Sequence, residues 1–184
     1  IPVSVSGTKG GVWSTFAGED FLAYLRLAEG AIGSREELMS CLYTAMNKPA
    51  RYLARAHIDG LAQRAAGSGQ SYIDVLMGGN TAAQAFARDL AAITGETDFT
   101  KRCAMIVDLL TRELRAQAEW NAGSIAEAAA GDDDRLQMYE GLGRAATRIG
   151  SYEQLAARAG KVAATGRVGV VEIATLHAAK GREW

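Results

Sequence analysis

The feature that most constrains the fold is a long, almost unbroken stretch of helical hydrophobic periodicity. From Glu19 onward, apolar side chains recur three and four residues apart over about 145 residues, which is the period of an α-helix. The clearest segment spans 100–114, and its apolar stripe consists of Cys103, Ile106, Val107 and Leu110. A chain with this pattern is predicted to be mainly helical.

Helix boundaries are also visible as capping signals and breakers. Ser34 with Glu37, and Ser151 with Gln154, have the spacing of a capping box, and Asn80 is a further helix-start residue. The first helix is predicted to end near Gly30. Pro49 interrupts the pattern, and a third helix is predicted to restart through Leu53 and to run to about residue 65.

A short strand is predicted at each end of the helical stretch. Residues 1–6 alternate apolar and small polar side chains with the period of a strand, and Val170, Val171 and Ile173 suit a buried strand. Two strands are too few for a stable sheet. We therefore expect an excised piece of a longer protein, in which a multi-helix insertion domain is flanked by two strands of an incomplete α/β domain.

The segment Gly7–Thr15 superficially resembles a phosphate-binding loop, because a predicted strand leads into glycines and then into Ser-Thr. A P-loop requires lysine immediately before the Ser/Thr, and Trp13 occupies that place. We interpret the segment as a flexible connection.

Bulk composition excludes several classes of protein. The 184 residues are 48% hydrophobic, so the chain can bury a core. Its formal net charge of −1 argues against nucleic acid wrapped over its whole surface, but not against a local basic face. Two distant cysteines indicate a reducing, cytoplasmic compartment and no structural zinc site. The acidic run 132–134 fits a solvated helix start, so no metal site is predicted. No apolar run approaches the ~20 residues of a membrane span.

The most basic stretch of the helical region is 47–55. Because Pro49 breaks the helix there, Lys48 and Arg51 are predicted to project from a helix–loop–helix corner, where they could hold a phosphate backbone without reading sequence. An ordinary solvated charged corner explains the same residues equally well.

The closing residues concentrate hydrogen-bonding and charged groups behind the last predicted strand: Thr175, His177, Lys180, Gly181 and Glu183. Binding loops of open α/β sheets lie at the carboxyl ends of strands, so these residues are candidates for a phosphate or nucleic-acid contact. A capped helix start with scattered charges is the alternative.

The segment 175–184, Thr-Leu-His-Ala-Ala-Lys-Gly-Arg-Glu-Trp, resembles motif V of superfamily 1 DNA helicases of the UvrD/Rep/PcrA kind. Arg182 departs from the usual leucine. Weaker similarity extends to 1–7, which resembles a strand of domain 2A, and to 19–27, which resembles the helix that opens the inserted domain 2B. Asn47-x-Pro49-x-Arg51 is similar to the start of the family's Asn-Thr-Pro-x-Arg-Gly-Ile-Gly segment.

The resemblance implies a division into residues 1–7 and 167–184 from a RecA-like domain 2A and residues 8–166 as a helical 2B domain. The intact protein would be an ATP-dependent DNA helicase that uses ATP and Mg²⁺ and moves 3′ to 5′. By carry-over, Thr175, His177 and Lys180 would contact single-stranded DNA, with Gly181 and Glu183 at the nucleotide. The 184 residues contain no Walker A or B motif, so we expect them to be inactive as an ATPase by themselves.

One departure from the family concerns the duplex contact. Tyr52-Leu53-Ala54 stands where the family often has Gly-Ile-Gly, whose backbone N–H groups can approach phosphates closely. Side chains of Lys48, Arg51 and Arg55 could still bind duplex DNA, weakly and with a steep salt dependence. A regulatory protein-interaction module with little DNA contact is the alternative function.

Overall fold

The computed structural model describes residues 3–5, 11–67, 70–121, 130–164 and 171–173, and these residues are mainly helical, as predicted. The helices are α1 (Phe16–Glu29), α2 (Arg35–Met46), α3 (Arg55–Gly67), α4 (Tyr72–Met77), α5 (Thr81–Gly95), α6 (Phe99–Asn121), α7 (Ala130–Ile149) and α8 (Tyr152–Ala164). The strands are β1 (Val3–Val5) and β2 (Val171–Ile173).

Helix α1 lies at the centre of the helical body. It packs against α2, α5, α6 and α7, and its side chains of Phe21, Tyr24, Leu25 and Leu27 are completely buried. Full burial of one such apolar side chain contributes about 1.5–3 kcal/mol to folding. Helix α1 is therefore the element around which α2, α5, α6 and α7 assemble.

The capping signals read from the sequence are confirmed. The side-chain oxygen of Ser34 accepts a hydrogen bond from the Glu37 N–H at 3.1 Å, and that of Asn80 accepts one from the Ala83 N–H at 3.0 Å. Gly30 adopts a left-handed conformation, with φ of 63°, and ends α1.

Two local predictions are corrected. Residues Gly11–Ser14 form a 3-10 turn rather than a flexible connection, because Trp13 is buried and packs against Phe21 with ring centroids 6.1 Å apart. Helix α3 begins at Arg55 rather than near Leu53, because hydrogen bonds to the Asn47 side chain hold the Leu53 backbone in the preceding loop.

Helices α6 and α7 pack closely along one another. A Cβ atom on Gly143 would lie 2.6 Å from Cγ2 of Val107, so a residue without a side chain permits this approach. Helix α6 extends to Asn121, beyond the end of its predicted segment at residue 114, since the polar end of a long helix carries little apolar periodicity.

The two strands pair in parallel, with Val3 opposite Val171 and Val5 opposite Ile173. The first and last elements that the structure describes thus lie side by side. Within the described ranges, no helix is long and apolar enough to cross a membrane.

Candidate nucleic-acid interface

The connection between α2 and α3, residues 47–54, forms a closed loop that we call the corner. The Asn47 side chain closes it: its Nδ2 donates to the Leu53 carbonyl at 2.8 Å, and its Oδ1 accepts from the Leu53 N–H at 2.9 Å. Leu53 itself is buried. The corner is therefore anchored at both of its ends.

Arg51 points into the protein, so the prediction that its side chain projects from the corner is corrected. Only 8% of the side chain is exposed. Its Nη1 lies 3.2 Å from the carbonyl oxygens of Met46 and Lys48 and 3.4 Å from that of Pro49. A guanidinium carries five N–H donors, and here it satisfies carbonyls that a loop without helical hydrogen bonds leaves open.

The other side of the same guanidinium faces helix α5. Nη2 of Arg51 donates to Asp89 at 2.7 Å, and the guanidinium carbon lies 5.2 Å from the centre of the Phe86 ring. A charge-assisted hydrogen bond and a cation–π contact thus tie the corner to α5. Arg51 organises the corner instead of offering its charge to a ligand.

Tyr24 of α1 contacts the corner from the protein interior. Its hydroxyl donates to the Lys48 carbonyl at 2.5 Å and accepts from Nη1 of Arg51 at 3.2 Å. Burial raises the pKa of Tyr24 above its ordinary range, and the positive charge of Arg51 offsets part of that rise. The hydroxyl therefore remains a neutral hydrogen-bonding group at physiological pH.

The Lys48 side chain contacts a buried carboxylate and is also partly exposed to solvent. Its Nζ lies 3.8 Å from Oδ2 of Asp20, a carboxylate that is almost completely buried, while 41% of the lysine side chain remains exposed. The hydroxyl of Tyr139 donates to the same Asp20 oxygen at 2.7 Å, and burial followed by this hydrogen bond raises the pKa of Tyr139. Lys48 thus pairs with a buried carboxylate while part of its side chain stays exposed to solvent.

The residues that tie the corner to the body form one polar cluster, which we call the buried polar cluster although Lys48 at its edge is 41% exposed. Its members are Asp20, Tyr24, Lys48, Arg51, Asp89 and Tyr139. Four elements contribute to it, namely α1, the corner, α5 and α7. The corner can therefore shift only if these buried contacts break.

Arg55 is exposed at the first residue of α3, and its guanidinium carbon lies 5.5 Å from the centre of the Tyr43 ring. An open groove of about 690 Å³ runs beside it, lined in part by Met39, Tyr43 and Leu53. Of the cations of the predicted duplex site, Arg55 is thus exposed and Lys48 is partly exposed, whereas Arg51 is buried.

Tyr52 is the most exposed large hydrophobic residue among those described, at 94%, and its backbone has a φ of 54°. This left-handed conformation is strained for a residue with a side chain and costs nothing for glycine. The corner thus carries an aromatic ring on a backbone conformation of the kind that glycine adopts readily.

The remaining candidate residues lie outside the described residues: Thr175, His177, Lys180, Gly181 and Glu183. Of the predicted site residues, the structure therefore describes Lys48 and Arg51, which lie in the corner, and Arg55, which begins α3. Sequence reasoning missed the supporting roles of Asn47, Tyr24 and Asp89. The Asn-x-Pro-x-Arg spacing was a signal for Asn47. Nothing in the sequence connects Arg51 to Tyr24 or Asp89, which lie 27 and 38 positions away from it.

No protein-family model matches the chain, and neither the curated proteins nor the solved structures contain a match. Across the described parts of the chain, no three His, Cys, Asp or Glu side chains converge in a way that could hold a metal ion.

Proposed function

We propose that this chain is the helical insertion domain of a superfamily 1-like, ATP-dependent DNA helicase, and that the corner contacts duplex DNA. The observation that carries the duplex contact is an anchored loop with two available cations, Lys48 and Arg55, at its margins. The similarity of residues 175–184 to motif V supports the helicase assignment.

The proposed contact is with phosphates and is independent of base sequence. Lysine and exposed arginine bind phosphate oxygens as cations, and an anchored loop loses little conformational entropy when it binds. Arg51 would contribute indirectly, by fixing the loop that positions the two cations. Two cations on a chain with a net charge of −1 predict weak binding that falls steeply with salt.

In the longer protein that we infer, residues 1–7 and 167–184 would belong to a RecA-like domain. Thr175, His177 and Lys180 would contact single-stranded DNA, and Gly181 and Glu183 would lie at the nucleotide. ATP with Mg²⁺ would supply the energy for 3′ to 5′ movement in the cytoplasm. These roles rest on the resemblance alone.

The duplex contact is tested by titrating a forked DNA against the 184-residue chain at about 50 and about 200 mM salt. We expect Arg55→Gln and Lys48→Gln each to weaken binding and to reduce the slope of log K against log salt by about 1. Thermal unfolding of each variant shows whether the fold is intact, which matters for Lys48 because it pairs with buried Asp20.

Arg112→Gln and Arg144→Gln are matched controls. Both arginines are exposed on α6 and α7, and both substitutions change the net charge by the same amount. If the control variants weaken DNA binding as much as Arg55→Gln does, the attraction is a property of overall charge and the corner is not the duplex site.

A protein-interaction module is the second candidate function. The groove beside Arg55 favours it, because Met39, Tyr43 and Leu53 give that groove an apolar wall of the kind that protein partners cover. Absence of binding to forked DNA even at about 50 mM salt would favour this function over the duplex contact.

A further inference from the structure

Tyr52 has no role in the fold that the structure describes. At 94% exposure, its ring buries almost no surface, yet it occupies a backbone conformation that costs free energy for any residue other than glycine. An exposed aromatic ring at a strained backbone position contributes nothing to stability. Such a residue is better explained by what it contacts outside the chain.

The backbone of Tyr52 is held on both sides. Arg51 before it contacts Asp89 and three carbonyl oxygens. Leu53 after it makes two hydrogen bonds with the Asn47 side chain. The ring thus extends from a fixed loop rather than from a mobile one. A fixed ring loses only side-chain rotamer freedom when it stacks on a partner.

Two cationic residues lie near Tyr52 in the sequence, Lys48 four positions before it and Arg55 three positions after it. Arg55 is exposed, and the Lys48 side chain is 41% exposed while its Nζ lies 3.8 Å from Oδ2 of Asp20. Aromatic rings between cations are the usual means by which proteins hold unpaired or terminal bases, since the ring stacks on the base while the cations bind the phosphates.

We propose that Tyr52 stacks on an exposed nucleobase, either an unpaired base or the terminal base pair of a duplex. This inference rests on the proposed DNA contact of the corner and adds to it a base-directed component that phosphate contacts do not supply. Stacking is independent of sequence because every base has a flat π face. The corner would thus prefer DNA junctions and ends over continuous duplex.

The test uses the 184-residue chain with three probes: a thymidine strand, an abasic strand of equal length, and a blunt duplex. We expect the thymidine strand or the blunt duplex to bind more tightly than the abasic strand. Tyr52→Leu should lower that affinity by about 5- to 150-fold, whereas Tyr52→Phe, which keeps the ring, should bind like the wild type. Binding of the abasic strand should be the same in all three proteins.

The fluorescence of 2-aminopurine shows which kind of base is stacked. If the protein quenches this fluorescence in the single strand, Tyr52 stacks on an unpaired base; if it quenches the fluorescence in the terminal pair of the duplex, Tyr52 stacks on a duplex end. Either result supports stacking if Tyr52→Leu abolishes the quenching. Wild-type binding that Tyr52→Leu leaves unchanged for every probe overturns the stacking inference alone. No binding of any probe at about 50 mM salt overturns both the stacking and the proposed DNA contact.

Discussion

The buried polar cluster and the charged surface of α6 and α7 use the same residue types in opposite ways. On that surface, which we call the α6–α7 charge surface, arginines pair with carboxylates while every side chain stays at least 36% exposed: Asp108, Arg112, Arg115, Glu140 and Arg144. In the buried polar cluster, Arg51 is 8% exposed and donates to backbone carbonyls as well as to Asp89.

The difference teaches that burial, not residue type, decides what an arginine does here. Exposed ion pairs contribute little to stability because water and salt screen them. A buried guanidinium cannot lose its partners without leaving charges and carbonyls unsatisfied. The corner thus owes its shape to one inward cation, whereas Lys48 and Arg55 beside it are partly or fully exposed.

The largest expected effect is that of Arg51→Met. Methionine fills similar volume but leaves Asp89 and the corner carbonyls without their donor, so the free energy of unfolding should fall by about 3–5 kcal/mol. Denaturant unfolding measures the loss. The matched control is Arg64→Met, at an exposed arginine of α3, which should change stability by no more than about 0.5 kcal/mol. Similar losses in both variants would contradict the organising role of Arg51.

The next effect is a loss of stability in alkali. The pKa values of Tyr24 and Tyr139 are raised in the folded state from an ordinary value of 10.0, chiefly by burial. The stabilisation is therefore complete below pH 10 and is lost as the pH rises towards the folded pKa values. Above pH 10 the unfolded tyrosines lose protons that the folded ones keep, so stability should fall by about 1.4 kcal/mol per pH unit for each tyrosine.

Denaturant midpoints measured from pH 9 upward show this slope. Tyr139→Phe should lower stability at neutral pH, because Asp20 loses a donor, but should make the alkaline slope shallower. Arg115→Gln, on the α6–α7 charge surface, should leave the slope unchanged. A Tyr139→Phe slope equal to that of the wild type would mean that this tyrosine is not held neutral by the fold.

Sequence patterns predicted the helices well and the corner poorly, for a physical reason. Helix periodicity and caps are local, so Gly30, Ser34 and Asn80 indicate boundaries that the structure confirms. The inward direction of the Arg51 side chain depends on Tyr24 and Asp89, which are distant in sequence. A run of basic residues does not by itself indicate whether its side chains point into the protein or towards solvent.

The same limit applies to Tyr52. Its left-handed backbone lies between two residues, Arg51 and Leu53, that are held by hydrogen bonds, and the sequence pattern did not predict this conformation. The comparison with the family's glycines indicated only that backbone contacts would change at this position. It could not indicate that the replacement presents a ring to solvent, because that depends on how the loop is closed by Asn47.

The smallest expected effect tests the α6–α7 charge surface. Arg115 donates to Asp108 at 3.2 Å and to Glu140 at 3.3 Å, so it links α6 to α7, yet it is 44% exposed. Arg115→Gln should reduce the free energy of unfolding by about 0.2–1 kcal/mol. The loss should shrink further at high salt, where exposed charges are screened.

The salt dependence of the stability loss distinguishes the buried polar cluster from the α6–α7 charge surface more sharply than the size of the loss does. The loss in Arg51→Met should persist at high salt, since a cation that is 8% exposed is hardly screened and its carbonyl partners carry no net charge to screen. If the loss in Arg115→Gln were equally large and equally insensitive to salt, the close packing of α6 against α7 would depend on this ion pair. Arg51 in the buried polar cluster and Arg115 on the α6–α7 charge surface would then contribute to stability in the same way, and the proposed difference between the two regions would be wrong.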